Sequence, residues 1–201
     1  SIRKYTRGER GYLIPQDHLN YQESRDALMA YLIRSKLGQN WVFPSNEVPT
    51  YDELLALRDE KMQQLIKFSV VRNPWARAVS LYFRSEGIKL SNRMSFEAFV
   101  ERMSSASDTC VNPFRHQNQI DWLIDENGRV AVDFVEKLEE LGRKTDEINE
   151  KLQGRCRIGD ARLNVNQSSK SDRYRDMYSD TSRKRIASLF EEDIDYFRYT
   201  F

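Results

Sequence analysis

Residues 67–83 read KFSVVRNPWARAVSLYF, an apolar strand that runs without a linker into Arg-Asn-Pro and then into a helix. Residues 68–71 form a short apolar run rich in β-branched residues and bounded by turn chemistry, which is the pattern of a buried strand. Asn73 offers an N-cap oxygen, and Pro74 takes the first helical position, where a missing N–H costs nothing. Trp75, Val79, Tyr82 and Phe83 then share one stripe, and Gly87 is the natural stop. Arg72 therefore sits at the mouth of a strand-turn-helix unit. Open α/β sheets bind anions at such a place, because free backbone N–H groups and the positive end of the helix dipole point at one spot.

Outward from this unit the pattern is mostly helical. Residues 22–37 read as a helix stopped by Gly38, and Thr50 with Glu53 forms a capping box that opens a second helix through about residue 65. Ser95 caps a short helix, and residues 117–124 are expected to form another. Asn127-Gly128 is a turn signal before an apolar run at residues 130–135. A charged helix is expected over about residues 136–152, and one terminal helix over about residues 181–197. Strands are few: residues 66–71, 131–135 and 157–159.

The chain has 201 residues, which suits a single domain over residues 1–201 that buries roughly 70% of its unfolded surface. Lys and Arg number 32 against 31 Asp and Glu, a formal charge of +1. A general nucleic-acid binder carries a strong basic excess, so an anion site here has to be local and no nucleic-acid partner is expected. No apolar run approaches the roughly 18 residues that span a bilayer, and the N-terminus has no apolar signal core. Cys110 and Cys156 are expected to be reduced thiols, and with only His18 and His116 in the chain no metal site is expected.

The residues then resemble a known family, the sulfotransferases that use 3′-phosphoadenosine 5′-phosphosulfate (PAPS), in the branch that includes carbohydrate sulfotransferases and their bacterial relatives. FSVVRNPWARAVSLY at residues 68–82 resembles that family's 3′-phosphate motif. QIDWL at residues 119–123, VDFVEKLEEL at 132–141, NVNQSSKSDRYRDMY at 164–178 and DIDYFRYTF at 193–201 resemble its later motifs in the same order. The fold implied is α/β, three-layered and P-loop-NTPase-like, a sulfotransferase core with a small parallel sheet flanked by helices. The family also carries a first strand and a Pro-Lys-x-Gly-x-Thr-Ser loop that holds the 5′-phosphosulfate, and no such run occurs in these residues. Residues 1–5 resemble the stretch that follows that loop, so the expectation is a chain beginning inside the motif.

The resemblance implies that Arg72 and Ser80 bind the 3′-phosphate, with Ser168, Ser169 and Lys170 as further adenosine and phosphate contacts. Arg77 is expected in a structural pairing with an acid such as Glu139, and Trp75 and Tyr174 are read as core rather than as adenine-stacking rings. Sulfuryl transfer to an alcohol needs a base within reach of the acceptor hydroxyl. His18 and His116 are the histidine candidates, His18 slightly preferred for its place in a polar segment near the acceptor side; a lone histidine is more often a surface or hydrogen-bonded residue.

The function implied is transfer of a sulfuryl group from PAPS to a hydroxyl, or an amine, of a carbohydrate or small-molecule acceptor. The alternative is a non-catalytic sulfotransferase-like binding or interaction module. A nucleotide-kinase reading requires a Gly-x-x-x-x-Gly-Lys loop, which does not occur. An exposed sheet edge is expected to favour pairing, a homodimer included. The low cysteine count points to the cytoplasm, although a lumenal domain cut from an anchor has the same composition.

Overall fold

The computed structural model describes residues 4–7, 13–16, 19–37, 50–83, 90–105, 114–155, 157–158 and 173–201. These fall into two compact units, one of residues 1–67 with 122–133 and one of residues 68–121 with 134–201. Cys110 and Cys156 lie outside the described residues.

In the first unit, β1 (Lys4–Arg7) and β2 (Leu13–Gln16) pair antiparallel with Tyr5 opposite Pro15. This pair was not among the expected strands. Helices α1 (Tyr21–Leu37) and α2 (Tyr51–Gln64) pack through Leu28, Leu32 and Met62, with Tyr21 and Leu57 against them. The Thr50 capping box forms as expected, Glu53 N–H donating to Thr50 Oγ1 and Thr50 N–H to Glu53 Oε2. Around Asn127-Gly128, Asp125 Oδ1 accepts from the N–H groups of Asn127 and Arg129, and Gly128 adopts φ +73°, so Ile124 bridges antiparallel to Val130. Lys67 and Asp133 close this unit: Lys67 N–H donates to Asp133 Oδ2 at 2.7 Å and Asp133 N–H to Lys67 O at 2.7 Å.

The second unit is built on β3 (Phe68–Val71) paired in parallel with β4 (Phe134–Lys137), Phe68 opposite Phe134 and Val71 opposite Lys137. Their first rings stack with centroids 5.3 Å apart. β4 begins three residues later than the expected strand at 131–135, because Val130 is spent in the bridge to Ile124. Glu136 is consequently a strand residue, and the expected helix at 136–152 is a 3₁₀ turn at Leu138–Glu140 followed by α5 (Leu141–Lys151). Glu136 is 4% exposed, and its carboxylate accepts from Lys144 at 3.0 Å and Lys151 at 2.8 Å.

Helix α3 (Pro74–Tyr82) follows β3 and buries Trp75, Ala76, Ala78, Val79 and Tyr82. Its aromatic end meets α4 (Phe96–Arg102), where Tyr82, Phe96 and Phe99 cluster at 5.4–6.2 Å. The expected helix at 117–124 is reduced to a 3₁₀ turn at Ile120–Trp122, and the expected terminal helix divides at Phe190 into α6 (Asp180–Leu189) and α7 (Glu191–Phe197). Phe190 is 1% exposed with φ −126° and ψ 36°; burial of its ring accompanies a bend that a continuous helix does not allow. Among the described residues the result is helix-rich, with seven α-helices and a small parallel sheet, the α/β class expected. Residues 157–158 form no strand; Asn149 on α5 grips Ile158 instead, accepting its N–H at 2.7 Å and donating to its C=O at 3.2 Å.

Candidate functional site

The turn between β3 and α3 has no spare backbone donor. Arg72 N–H donates to Gln119 Oε1 at 2.8 Å and Asn73 N–H to Glu139 Oε1 at 2.8 Å. Trp75 N–H and Ala76 N–H go to the capping oxygen of Asn73 at 3.0 and 3.4 Å, Arg77 N–H goes to Asn73 O at 2.8 Å, and Pro74 has none to give. The expectation of free amides facing an anion is therefore corrected. The side chains of Asn73, Gln119 and Glu139 and the carbonyl of Asn73 take every amide of this turn, so only the helix dipole and the side chains remain to meet an anion.

The side chain that remains is Arg72. Its guanidinium is half-buried, and among the described residues it makes no hydrogen bond and no ion pair. Burial holds its pKa below the ordinary value, with the nearby Glu139 charge working the other way. Five N–H donors partly withdrawn from water and without an acceptor among those residues suit an oxyanion that takes two at once. Ser80 lies half-buried two turns into α3, on the same stripe as Asn73 and Arg77. That stripe faces the segment of Gln117, because Arg77 Nη1 donates to Gln117 O at 3.1 Å.

Arg77 has the structural role expected of it, but with a different acid. It lies 3.9 Å from Asp193 Oδ2 and over the Phe190 ring, whereas Glu139 is occupied by Asn73 N–H and by the Tyr199 hydroxyl at 3.4 Å. Trp75 and Tyr174 are 5% and 8% exposed and meet the Phe201 ring edge-on, and Trp75 Nε1 donates to Arg183 O at 3.0 Å. They are core residues, as read from sequence.

Arg72 and Ser80 thus belong to one strand-turn-helix unit. His116 is 5% exposed, its N–H donating to Ser104 O beside the Ser104–Arg115 bridge, one residue before the segment that Arg77 contacts. His18, Ser168, Ser169 and Lys170 lie outside the described residues. Gln119, Glu139 and Asp193, which hold the Arg72 turn, were not singled out as site residues. Gln119 and Asp193 stand inside the QIDWL and DIDYFRYTF runs, but a run names no partner. Among the described residues no group of three His, Cys, Asp or Glu side chains is placed to hold a metal ion, and no helix is long and apolar enough to cross a membrane.

A family model described as "Sulfotransferase family" matches residues 27–200, and the chain belongs to that family. Its helix-rich α/β core with the parallel β3–β4 pair is a sulfotransferase core, and the chemistry of the family is sulfuryl transfer to an acceptor. No curated protein and no solved structure matches the chain.

Proposed function

We propose that this sulfotransferase-family chain takes its sulfuryl group from PAPS and delivers it to a hydroxyl, or an amine, of a carbohydrate or small-molecule acceptor. In this reading Arg72 and Ser80 hold the 3′-phosphate. The observation that carries it is the half-buried Arg72 guanidinium, without an acceptor among the described residues, beside a turn whose own amides are all engaged. Because those amides have partners, the guanidinium and the Ser80 hydroxyl are what this unit offers to a phosphate.

PAPS supplies an activated sulfuryl group whose bond to the 5′-phosphate breaks as the acceptor oxygen bonds to sulfur. The chain supplies the remainder. Binding energy at the remote 3′-phosphate positions the reacting end for in-line attack. Ser168, Ser169 and Lys170 are assigned further contacts to the adenosine and phosphate. A base takes the proton that the acceptor hydroxyl loses. His18 is kept ahead of His116 in that role, because a base has to meet a hydroxyl arriving from solvent and His116 is 5% exposed.

Calorimetric titration with adenosine 3′,5′-bisphosphate tests the reading. Wild type binds, and Arg72→Ala loses about 2–4 kcal/mol of binding free energy, the usual loss when one partner of a partly buried charge pair is truncated. Equal affinity in the two proteins, or no binding by wild type, refutes it. Binding without transfer to any hydroxyl or amine offered would favour a binding module over an enzyme.

A further inference from the structure

We infer that Gln119, oriented by Asp193, is a positioning residue that holds Arg72 for phosphate; the inference rests on the phosphate reading of Arg72 above. The β3–β4 ladder ends at the Val71–Lys137 pair, and Arg72 lies one residue beyond it. At that point the Gln119 side chain stands in for a strand. Its Oε1 accepts Arg72 N–H at 2.8 Å and its Nε2 donates to Arg72 O at 2.8 Å, so one amide grips both backbone polar groups of the residue from which the guanidinium departs.

The orientation of that amide is determined by its partners. Nε2 also donates to Asp193 Oδ2 at 3.1 Å, while the Arg72 N–H can only donate and its C=O can only accept. With Asp193 taking one hydrogen and Arg72 O the other, Oε1 is left to face the Arg72 N–H, and no reversed amide satisfies all three contacts. Asp193 is itself fixed: it is 0% exposed, its Oδ1 accepts Ile120 N–H at 2.9 Å, and Arg77 stands 3.9 Å from its Oδ2. The QIDWL and DIDYFRYTF runs, which the family resemblance left without a task, thereby meet behind the phosphate arginine. A side chain as long as arginine loses much rotamer freedom when it clamps an anion, and a backbone already held in place reduces what binding has to order.

The test is a double-mutant cycle read by titration with adenosine 3′,5′-bisphosphate. Gln119→Met keeps the volume and removes all three hydrogen bonds; it is expected to weaken binding about tenfold to a hundredfold when Arg72 is present and not at all in the Arg72→Ala background. Gln119→Asn, with the amide withdrawn by one methylene, is expected to fall between wild type and Gln119→Met, and it serves alone if Gln119→Met does not fold. Unchanged affinity in folded variants with lowered unfolding midpoints overturns the inference and leaves the phosphate reading standing, as does equal weakening in both backgrounds. Loss of folding in both Gln119 variants overturns it too, since the residue is then a fold determinant rather than a positioning one. Wild type that fails to bind overturns both.

Discussion

Replacing Asn73 separates what its two ends do. Its Oδ1 caps α3 by accepting from Trp75 and Ala76, and its Nδ2 donates to Thr200 O at 2.9 Å. An exposed cap is worth about 1 kcal/mol, but Asn73 is 7% exposed and the residues it caps are 5% and 4% exposed, so water does not readily replace it and the upper figure of about 2 kcal/mol applies. The bond to Thr200 adds about 1 kcal/mol. Asn73→Ala should therefore destabilise by about 3 kcal/mol, or about 6–12 °C in Tm for a chain of this size. Asn73→Asp keeps the capping oxygen and complements the helix dipole, but turns an acceptor toward the Thr200 carbonyl; its cost should be about 1–2 kcal/mol. Equilibrium urea unfolding, followed by tryptophan fluorescence and far-UV circular dichroism together, gives a single free energy where the curves coincide. The reasoning is refuted if the two variants are equally destabilised, or if Asn73→Ala costs less than about 0.5 kcal/mol, the lower bound for a cap.

Glu136 should shape the acid limb of stability. The hydrogen bond from Lys151, and then that from Lys144, hold its carboxyl below the ordinary value against the opposing effect of burial. A depressed folded pKa contributes stability above the unfolded value near 4.3, and that contribution is lost as pH falls through the folded value. Glu136→Gln should accordingly show a shallower loss of urea midpoint below about pH 4.3 than wild type; parallel acid limbs would contradict this. Arg185 caps the end of α4, Nε donating to Val100 O at 2.9 Å and Nη2 to Glu101 O at 2.7 Å and Met103 O at 2.9 Å. Arg185→Met should cost about 1–2 kcal/mol in unfolding experiments, and Arg185→Lys, without the planar fork, should recover less than half. If His18 is the base, His18→Ala should lower kcat by about 10²–10⁴-fold while leaving bisphosphate affinity unchanged. His116→Ala should register chiefly as a lower Tm, because the ring it removes is buried.

Features written within one turn of chain were legible. Thr50 with Glu53, Ser95, and Asn73 with Pro74 each start a helix by satisfying its own first amides, and they start it where the sequence places them. Features decided by distant partners were not. The start of β4 depends on Lys67 and Asp133, sixty-six positions apart, closing the first unit, and on Val130 being taken by Ile124. The division of the last helix depends on Phe190 being buried, and residues on either side of it have ordinary helical character. The site follows the same rule. Arg72 and Ser80 stand in one contiguous motif, whereas Gln119 and Asp193 meet across 74 positions and nothing in either run names the other. Gln119 also does the work of a strand with a side chain, and pattern reading looks for strands in backbones.

The separation along the chain of the groups that hold the Arg72 turn sets a clock on biosynthesis. Asn73 is joined to Thr200 across 127 positions, and at roughly 5–20 residues per second a ribosome adds those residues in about 6–25 s. Throughout that interval Asn73 lacks Thr200, and from the synthesis of Gln119 until that of Asp193, 74 positions later, Gln119 lacks Asp193. Arg72 is thus among the first residues of its unit to be made, and the turn it belongs to is among the last to be completed. A truncated product ending before Asp193 would carry the Arg-Asn-Pro sequence with Gln119 and Glu139 but without Asp193 behind Gln119 and without Thr200 on Asn73.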